Sequence, residues 1–341
     1  AGHQATDTGP PPMSTPRIAP RIALALGGGS ARGLSHIVML EAFDELGVKP
    51  SIIVGTSMGS ICGAAFAAGL SAAEIRAEFL SVLGNRTAFF RRVAGKLVGE
   101  LSTFWSPRSP SVIDNTTLFE MLLPEVMHRD FASLKIPFLA VATDFYGIQQ
   151  VVLDHGPLIP ALAASCSLPG LSRPVALEGR LLIDGGYINP VPYDVVMHRA
   201  DITVAVDVTG DPQRRPDAKA PGTFDLLTGA TQILFHSITR EKLKSVAPDI
   251  FIRPAVGSFN AMDYFHIAEI LVAAEPAKAC TRATKSASGA QLGKTFGAAA
   301  EHVAQNGFGV LANGGCGHRV GHRCGREAPW RRDIRNRPGR G

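Results

Sequence analysis

Short apolar runs alternate with longer stretches of helical periodicity along most of the chain. Ile22–Leu26 is an unbroken apolar run that stops at glycine, the pattern of a strand buried on both faces. From Gly33 to Leu46, residues Leu34, Ile37, Val38 and Phe43 define a helical face, and Gly47 ends it. Ser51–Val54 predicts a second buried strand. Met58–Ala68, rich in Ala and Gly, predicts a helix packed closely on a sheet. Ser71–Leu83 predicts a third helix, with Ser71 as N-cap and Glu74 closing a capping box. Further strands are predicted at Phe138–Thr143, Gln150–Leu153, Leu181–Ile183, Ile202–Val208 and Ile250–Arg253. Helices are predicted at Phe224–Val246 and Tyr264–Ala274. Strands alternating with helices in this way predict an α/β fold: a mostly parallel central sheet covered by helices on both faces.

The periodicity sets the domain boundaries. It places the folded domain at residues 21–278. Residues 1–20 are proline-rich and polar, and read as a disordered leader. Residues 279–341 read as low-complexity sequence ending in a disordered, arginine-rich tail. No run of about 18 apolar residues occurs, so no membrane-spanning helix is predicted. With 45% hydrophobic residues in 341, the chain can bury a core without disulfides or metals.

Charge changes the picture little. The net charge is +5, yet residues 312–341 alone carry eight arginines against Glu327 and Asp333. The rest of the chain is therefore close to neutral. No folded nucleic-acid motif accompanies the basic tail, so no nucleic-acid partner is expected. Cys62 and Cys166 lie in small or apolar segments and read as buried small hydrophobes. Cys316, His318, His322 and Cys324 lack the paired spacing of a zinc site and read as accidental. No metal or cofactor is expected, and nothing calls for an oxidising compartment. The expected location is the cytoplasm, with contact to a membrane surface.

Three segments carry chemistry. Gly55-Thr56-Ser57-Met58-Gly59 follows a strand and precedes a helix, the setting of a nucleophile elbow. Glycines at both flanks remove clashes in that sharp turn, which lifts Ser57 onto the positive end of the next helix. Gly27-Gly28-Gly29-Ser30-Ala31-Arg32-Gly33 follows the first strand and converges backbone N–H groups into an anion-binding nest. A dinucleotide site is disfavoured: the glycine spacing fails, and the second strand ends without an acid. An oxyanion hole of the Gly28 and Gly29 amides, with Arg32 nearby, fits better. Asp184-Gly185-Gly186 ends a further strand, which places an acid at the catalytic edge of such a sheet.

In this order, with Ala142-Thr143-Asp144, Ser165-Cys166-Ser167-Leu168-Pro169-Gly170 and the continuation Tyr187-Ile188-Asn189-Pro190-Val191-Pro192, these segments resemble the bacterial patatin-like phospholipases. The resemblance covers about residues 22–276. It implies lipid acyl hydrolysis by a Ser–Asp dyad, with Ser57 as nucleophile and Asp184 as base. One departure is Ser30, where the family's loop commonly has a fourth glycine. A positive φ there costs a non-glycine residue on the order of 1 kcal/mol.

A carboxylate with an ordinary pKa is a poor base for serine, so burial must raise that of Asp184. The rival is a Ser-His-Asp triad using His236 or His266. Asn85 to Pro110 forms an insertion in which Phe89, Phe90, Val93, Leu97, Leu101 and Phe104 recur at helical spacing among cations. That stripe suits either a lipid surface or the core. Two other readings stay open: an inactive binding module of the same fold, and a small-ester esterase or thioesterase.

Overall fold

The computed structural model describes residues 20–97, 113–211, 222–278 and 309–312. Residues 1–19, nearly all of the arginine-rich tail with its cysteines and histidines, and Leu101 and Phe104 of the insertion lie outside the described residues.

Nine strands among the described residues form one sheet. They are β1 (Ile22–Leu26), β2 (Ile52–Thr56), β3 (Phe138–Asp144), β4 (Gln149–Leu153), β5 (Val175–Leu177), β6 (Arg180–Asp184), β7 (Ile202–Val206), β8 (Ile250–Arg253) and β9 (Gly309–Ala312). The order runs β5-β6-β3-β2-β1-β7-β8-β9, with β4 also on β3. The five central strands β3, β2, β1, β7 and β8 are mutually parallel. β4 and β6 join β3 antiparallel, as β9 joins β8. The helices are α1 (His36–Leu46), α2 (Met58–Ala67), α3 (Ala72–Leu83), α4 (Arg86–Leu97), α5 (Asn115–Leu122), α6 (Leu158–Ser165), α7 (Thr223–Ser245) and α8 (Ile267–Ala274).

Side-chain alternation divides the core in two. Leu24, Leu26, Ile53 and Phe138 point to the face covered by α1, α2, α3, α6 and α8. Ala23, Ala25, Val54, Leu139 and Val141 point to the other face, under Val191, Tyr193, Val196 and the end of α7. Both faces are covered, the first much more thickly. Local signals act as their chemistry dictates. Ser71 accepts from the Glu74 amide, whose carboxylate accepts from the Ser71 amide in return. Gly47 closes α1 in the left-handed conformation, at φ 62°.

Several elements differ from the sequence pattern. The helix predicted from Gly33 is a 3-10 turn over Ser30–Ser35 followed by α1, because the chain leaving β1 turns tightly enough for the Arg32 amide to reach the Gly29 carbonyl. α6 is buried almost throughout, so it has no polar face to reveal its period. β5 is a three-residue strand at the sheet's end. β9 falls in the stretch that carries no strand signal.

One feature of the pairing governs the site. Ala140 and Val141 of β3 pair with β2 and with β4, whereas Ala142 to Asp144 pair with β4 and with β6. A strand has two edges, so β2 and β6 share one edge of β3. β2 runs along it to Thr56, opposite Val141; β6 comes the opposite way and ends at Asp184, opposite Ala142. The carboxyl ends of the two strands therefore meet head-on, one residue step apart along β3.

Candidate active site

Ser57 follows β2 directly and precedes α2. Its backbone lies at φ 53°, ψ −127°, a region that costs a non-glycine residue about 1–3 kcal/mol. The strain is held by specific bonds. The Ser57 amide donates to Ser165 Oγ at 2.9 Å, and that hydroxyl donates to the Val141 carbonyl at 2.7 Å. Thr56 Oγ1 donates to the Asn189 carbonyl at 2.9 Å. The flanking glycines answer to close approach. A methyl group at Gly59 would run into the carbonyl oxygens of Leu26 and Gly27, and one at Gly55 into the backbone of Gly59 and Ser60. The elbow is thus wedged against the end of β1.

Asp184 arrives by an unexpected route. β6 is antiparallel to β3, so this acid comes to the carboxyl edge of the parallel strands from the opposite direction. It reaches Ser57 because β6 terminates where β2 does. The Asp184 amide donates to the Ser167 carbonyl, and its own carbonyl accepts from Thr143 Oγ1, each at 2.9 Å. Gly185 and Gly186 let the chain turn against Val141 and the Phe235 ring, where side chains would collide. The carboxylate is 2% exposed and accepts from the Gly186 amide at 2.8 Å. Burial pushes its pKa up to about 6, while the Gly186 amide and a hydrogen bond with the Ser57 side chain pull the other way. Ser57 and Asp184 line the same two cavities.

The glycine loop lies directly over Ser57: a methyl on Gly28 would be 3.3 Å from Ser57 Cβ. Its amides divide into two sets. Gly27 donates to the Val206 carbonyl at 2.9 Å and Gly28 to the Pro190 carbonyl at 2.8 Å. The Gly28 amide is therefore committed, which removes it from the expected oxyanion pair. The Gly29 and Ser30 amides make no hydrogen bond among the described residues. Arg32 also differs from expectation. It is 2% exposed, and its guanidinium donates to the carbonyls of Val208 and Phe259, at 3.3 and 3.0 Å. Burial lowers its pKa to about 10, which leaves it charged. A desolvated guanidinium takes the nearest acceptors, so Arg32 pins the loop to its neighbours. Gly33 abuts the Met58 side chain.

Ser30 has φ 51°, the positive value that its replacement of glycine makes costly. Ser30 and Tyr264 line the larger cavity together. His36 supports the same loop from below: it is fully buried, and Nε2 donates to the Gly27 carbonyl at 2.7 Å. Burial lowers its pKa to about 4, so the ring is neutral. Cys166 forms a wall of the site rather than part of a remote core. It lines the larger cavity with Ser57, its thiol is 3.9 Å from Ser60 Oγ, and burial raises that thiol well above the usual range.

The rival bases lie elsewhere. His236 Nδ1 is 3.3 Å from Asp211, and the exposed His266 is 4.0 Å from Asp263. Neither lines a cavity that Ser57 lines. No cluster of three or more His, Cys, Asp or Glu that could hold a metal occurs among the described residues.

Two cavities meet at Ser30, Ser57, Leu168 and Asp184 and share no other lining residue. The larger, about 400 Å³, is almost wholly apolar and runs beneath α3, α4 and α5, past Phe79, Leu118, Phe119 and Leu171. Phe89 and Phe90 of the amphipathic insertion line it, so the first part of that stripe faces this cavity. Sequence pattern alone did not single out His36 or Tyr264, and it gave Ser165, Ser167 and Asn189 of the quoted motifs no role. Ser165, Ser167 and His36 act through hydrogen bonds to backbone carbonyls, which leave no periodic trace.

Fold and site together define an α/β protein with a strained elbow serine against a buried acid. The family model of the patatin-like phospholipases matches residues 24–197, just over half the chain, and the chain belongs to that family. An uncharacterized NTE family protein of Mycobacterium tuberculosis is 35% identical over 192 residues, 56% of this chain and 50% of that one. Patatin-like phospholipase domain-containing protein 7 of Rattus norvegicus is 34% identical over 55% of this chain and 13% of its own length. The chain thus spans about half the length, or less, of the curated relatives it matches. Among solved structures, VipD from Legionella pneumophila aligns over 77% of this chain and 66% of its own, at 12% identity and a TM-score of 0.41.

Proposed function

We propose that the protein is a serine acyl-hydrolase acting on lipid-type carboxylic esters, with Ser57 as nucleophile and Asp184 as its base. The observation that carries this reading is that the strained Ser57 and the buried Asp184 line one apolar cavity together. Ser57 Oγ attacks the ester carbonyl as its proton passes to Asp184. The raised pKa makes that carboxylate a better base than an exposed aspartate. The negative charge that develops on the carbonyl oxygen is stabilised by the Gly29 and Ser30 amides and the positive end of α2. The alcohol leaves with the proton, and water then releases the acyl group.

The substrate class follows from the large cavity. Its volume falls within the ~300–1,000 Å³ typical of small-molecule pockets, and an apolar lining of this kind stabilises an alkyl chain by ~0.8 kcal/mol per buried methylene. Phe90, half exposed at the rim of the cavity, and the neighbouring Arg86 suit a lipid–water interface. No helix among the described residues is long and apolar enough to cross a membrane. Approach from one side of a bilayer is consistent with that.

The test is hydrolysis of p-nitrophenyl esters of increasing chain length. The native chain is expected to favour long chains. Ser57→Ala and Asp184→Asn should each lose at least about a thousandfold in kcat/KM, and a variant lacking both His236 and His266 should stay within a few-fold of native. Silence on every ester would support a binding module instead. A preference for acetyl esters would support a small-ester esterase. Loss of activity in the histidine variant would overturn the dyad.

A further inference from the structure

The segment after Asp184 touches both the elbow and the glycine loop, yet no helix or strand contains residues 188–192. Thr56 Oγ1 donates to the Asn189 carbonyl at 2.9 Å, and the Gly28 amide donates to the Pro190 carbonyl at 2.8 Å. Thr56 immediately precedes the nucleophile. Gly28 immediately precedes the Gly29 amide. The places of two consecutive carbonyls therefore bear on the spacing between Ser57 and the Gly29 and Ser30 amides. A segment outside regular structure needs other partners to hold it there.

Lys242 is that partner. It follows Phe235 and Thr239 along the buried face of α7, and its side chain is only 16% exposed. An ammonium has three donors and no acceptor. All three are used: Nζ donates to Asn189 Oδ1 at 2.5 Å, to Asp194 Oδ1 at 2.5 Å and to the Val191 carbonyl at 2.6 Å. The ammonium also sits 4.3 Å from the centroid of the Tyr193 ring. Asn189 Nδ2 in turn donates to Gln150 Oε1 at 2.6 Å and to Asp194 Oδ1 at 3.0 Å, so its amide is held at both ends. Burial lowers the pKa of Lys242, and Asp194 acts in the opposite direction. A buried ion pair is commonly no more stabilising than apolar packing of the same shape. What this one adds is direction, because it grips the chain on both sides of Pro190.

We propose that Lys242 is a positioning residue for the reaction: by fixing residues 189–191 it sets the elbow and the glycine loop against each other. This rests on Ser57 being the nucleophile and on the Gly29 and Ser30 amides receiving the oxyanion. Lys242 lines neither cavity that Ser57 lines, so it acts through the Asn189 and Pro190 carbonyls and not on the substrate. Its loss leaves the acyl cavity in place and loosens the oxyanion site. Binding of the chain is therefore spared, and stabilisation of the tetrahedral state is not.

The experiment compares hydrolysis of a long-chain p-nitrophenyl ester with inhibition by two long-chain probes. A trifluoromethyl ketone bonds to Ser57 Oγ as the proton passes to Asp184, and its oxygen becomes an oxyanion against the two amides. A primary alcohol of the same length fills the acyl cavity alone. Lys242→Met keeps the stem and removes the donors. Its kcat should fall about ten- to a hundredfold with KM within about twofold of native, the effect of a small misplacement of reacting groups. Inhibition by the ketone should weaken by the same factor as kcat/KM, and inhibition by the alcohol should not change. Thr56→Val cuts the same chain at the elbow, so it should show the same pattern, and the double variant should lose little more than the worse single one. If Lys242→Met does not fold, Lys242→Gln, which keeps two donors, and Thr56→Val carry the comparison. A folded variant that melts lower yet keeps native kcat would overturn the inference. So would inhibition by the alcohol weakened as much as inhibition by the ketone. Failure of the underlying reading is distinguishable: the native protein would then hydrolyse no ester and form no ketone adduct on Ser57.

Discussion

At the scale of single residues, the site is built from groups held in states they would not choose alone. Ser57 is held at positive φ, and Asp184 is held out of water. The second has a consequence for stability. The folded-state pKa of Asp184, about 6, lies above its ordinary value of 3.8. The folded protein therefore binds this proton more tightly than the unfolded chain, and this group's contribution to stability falls as pH rises from about 4 through 6. Above that range the penalty is complete, on the order of 2–3 kcal/mol. Asp184→Asn should therefore melt no lower than the native protein at pH 8, and its advantage should shrink as pH falls toward 4. A variant that melts several degrees lower at pH 8 would contradict the burial account. The same pKa predicts that ester hydrolysis declines as pH drops through about 6, as protonation removes the base.

At the scale of elements, placement of the dyad depends on where strands stop. The three glycine-bearing motifs were legible because each needs a particular residue at a turn. β1, β2, β7 and β8 were legible from unbroken apolar runs. The antiparallel entry of β6 was not, because Leu181–Ile183 reads the same in either direction, and pairing partners leave no local mark. Nor was the fate of Gly28 and Arg32. A glycine cluster announces available amides without saying that Pro190 has already taken one of them. Arg32 likewise declares a charge without declaring its acceptors. The turn after Asp184 proves to be a hub. Asn189 accepts from Thr56, Pro190 from Gly28, and Lys242 of α7 donates to Val191 and Asp194. At the opposite wall, Ser165 ties α6 and β3 to the elbow. Ser165→Ala should lower stability by about 1–3 kcal/mol, because the Ser57 amide loses its partner in a buried place. It should lower kcat more than KM, which steady-state kinetics and thermal melts read separately. Equal changes in both kinetic constants would show that Ser165 does not position the nucleophile.

At the scale of the whole molecule, the unequal covering of the sheet sorts the chemistry. The thickly covered face supplies an apolar cavity beneath α3, α4 and α5. The side under α7 and the end of β7 supplies a much smaller one. Ser57 and Asp184 stand at the junction and line both cavities. The central claim is that Ser57 is a nucleophile activated by this arrangement. Covalent labelling with a fluorophosphonate, with the adduct mapped by peptide mass spectrometry, tests it most directly. The account predicts one adduct per chain, on Ser57, which slows markedly in Asp184→Asn and is unaffected when His236 and His266 are both replaced. A folded protein that takes no label, or carries it on another residue, would contradict the account.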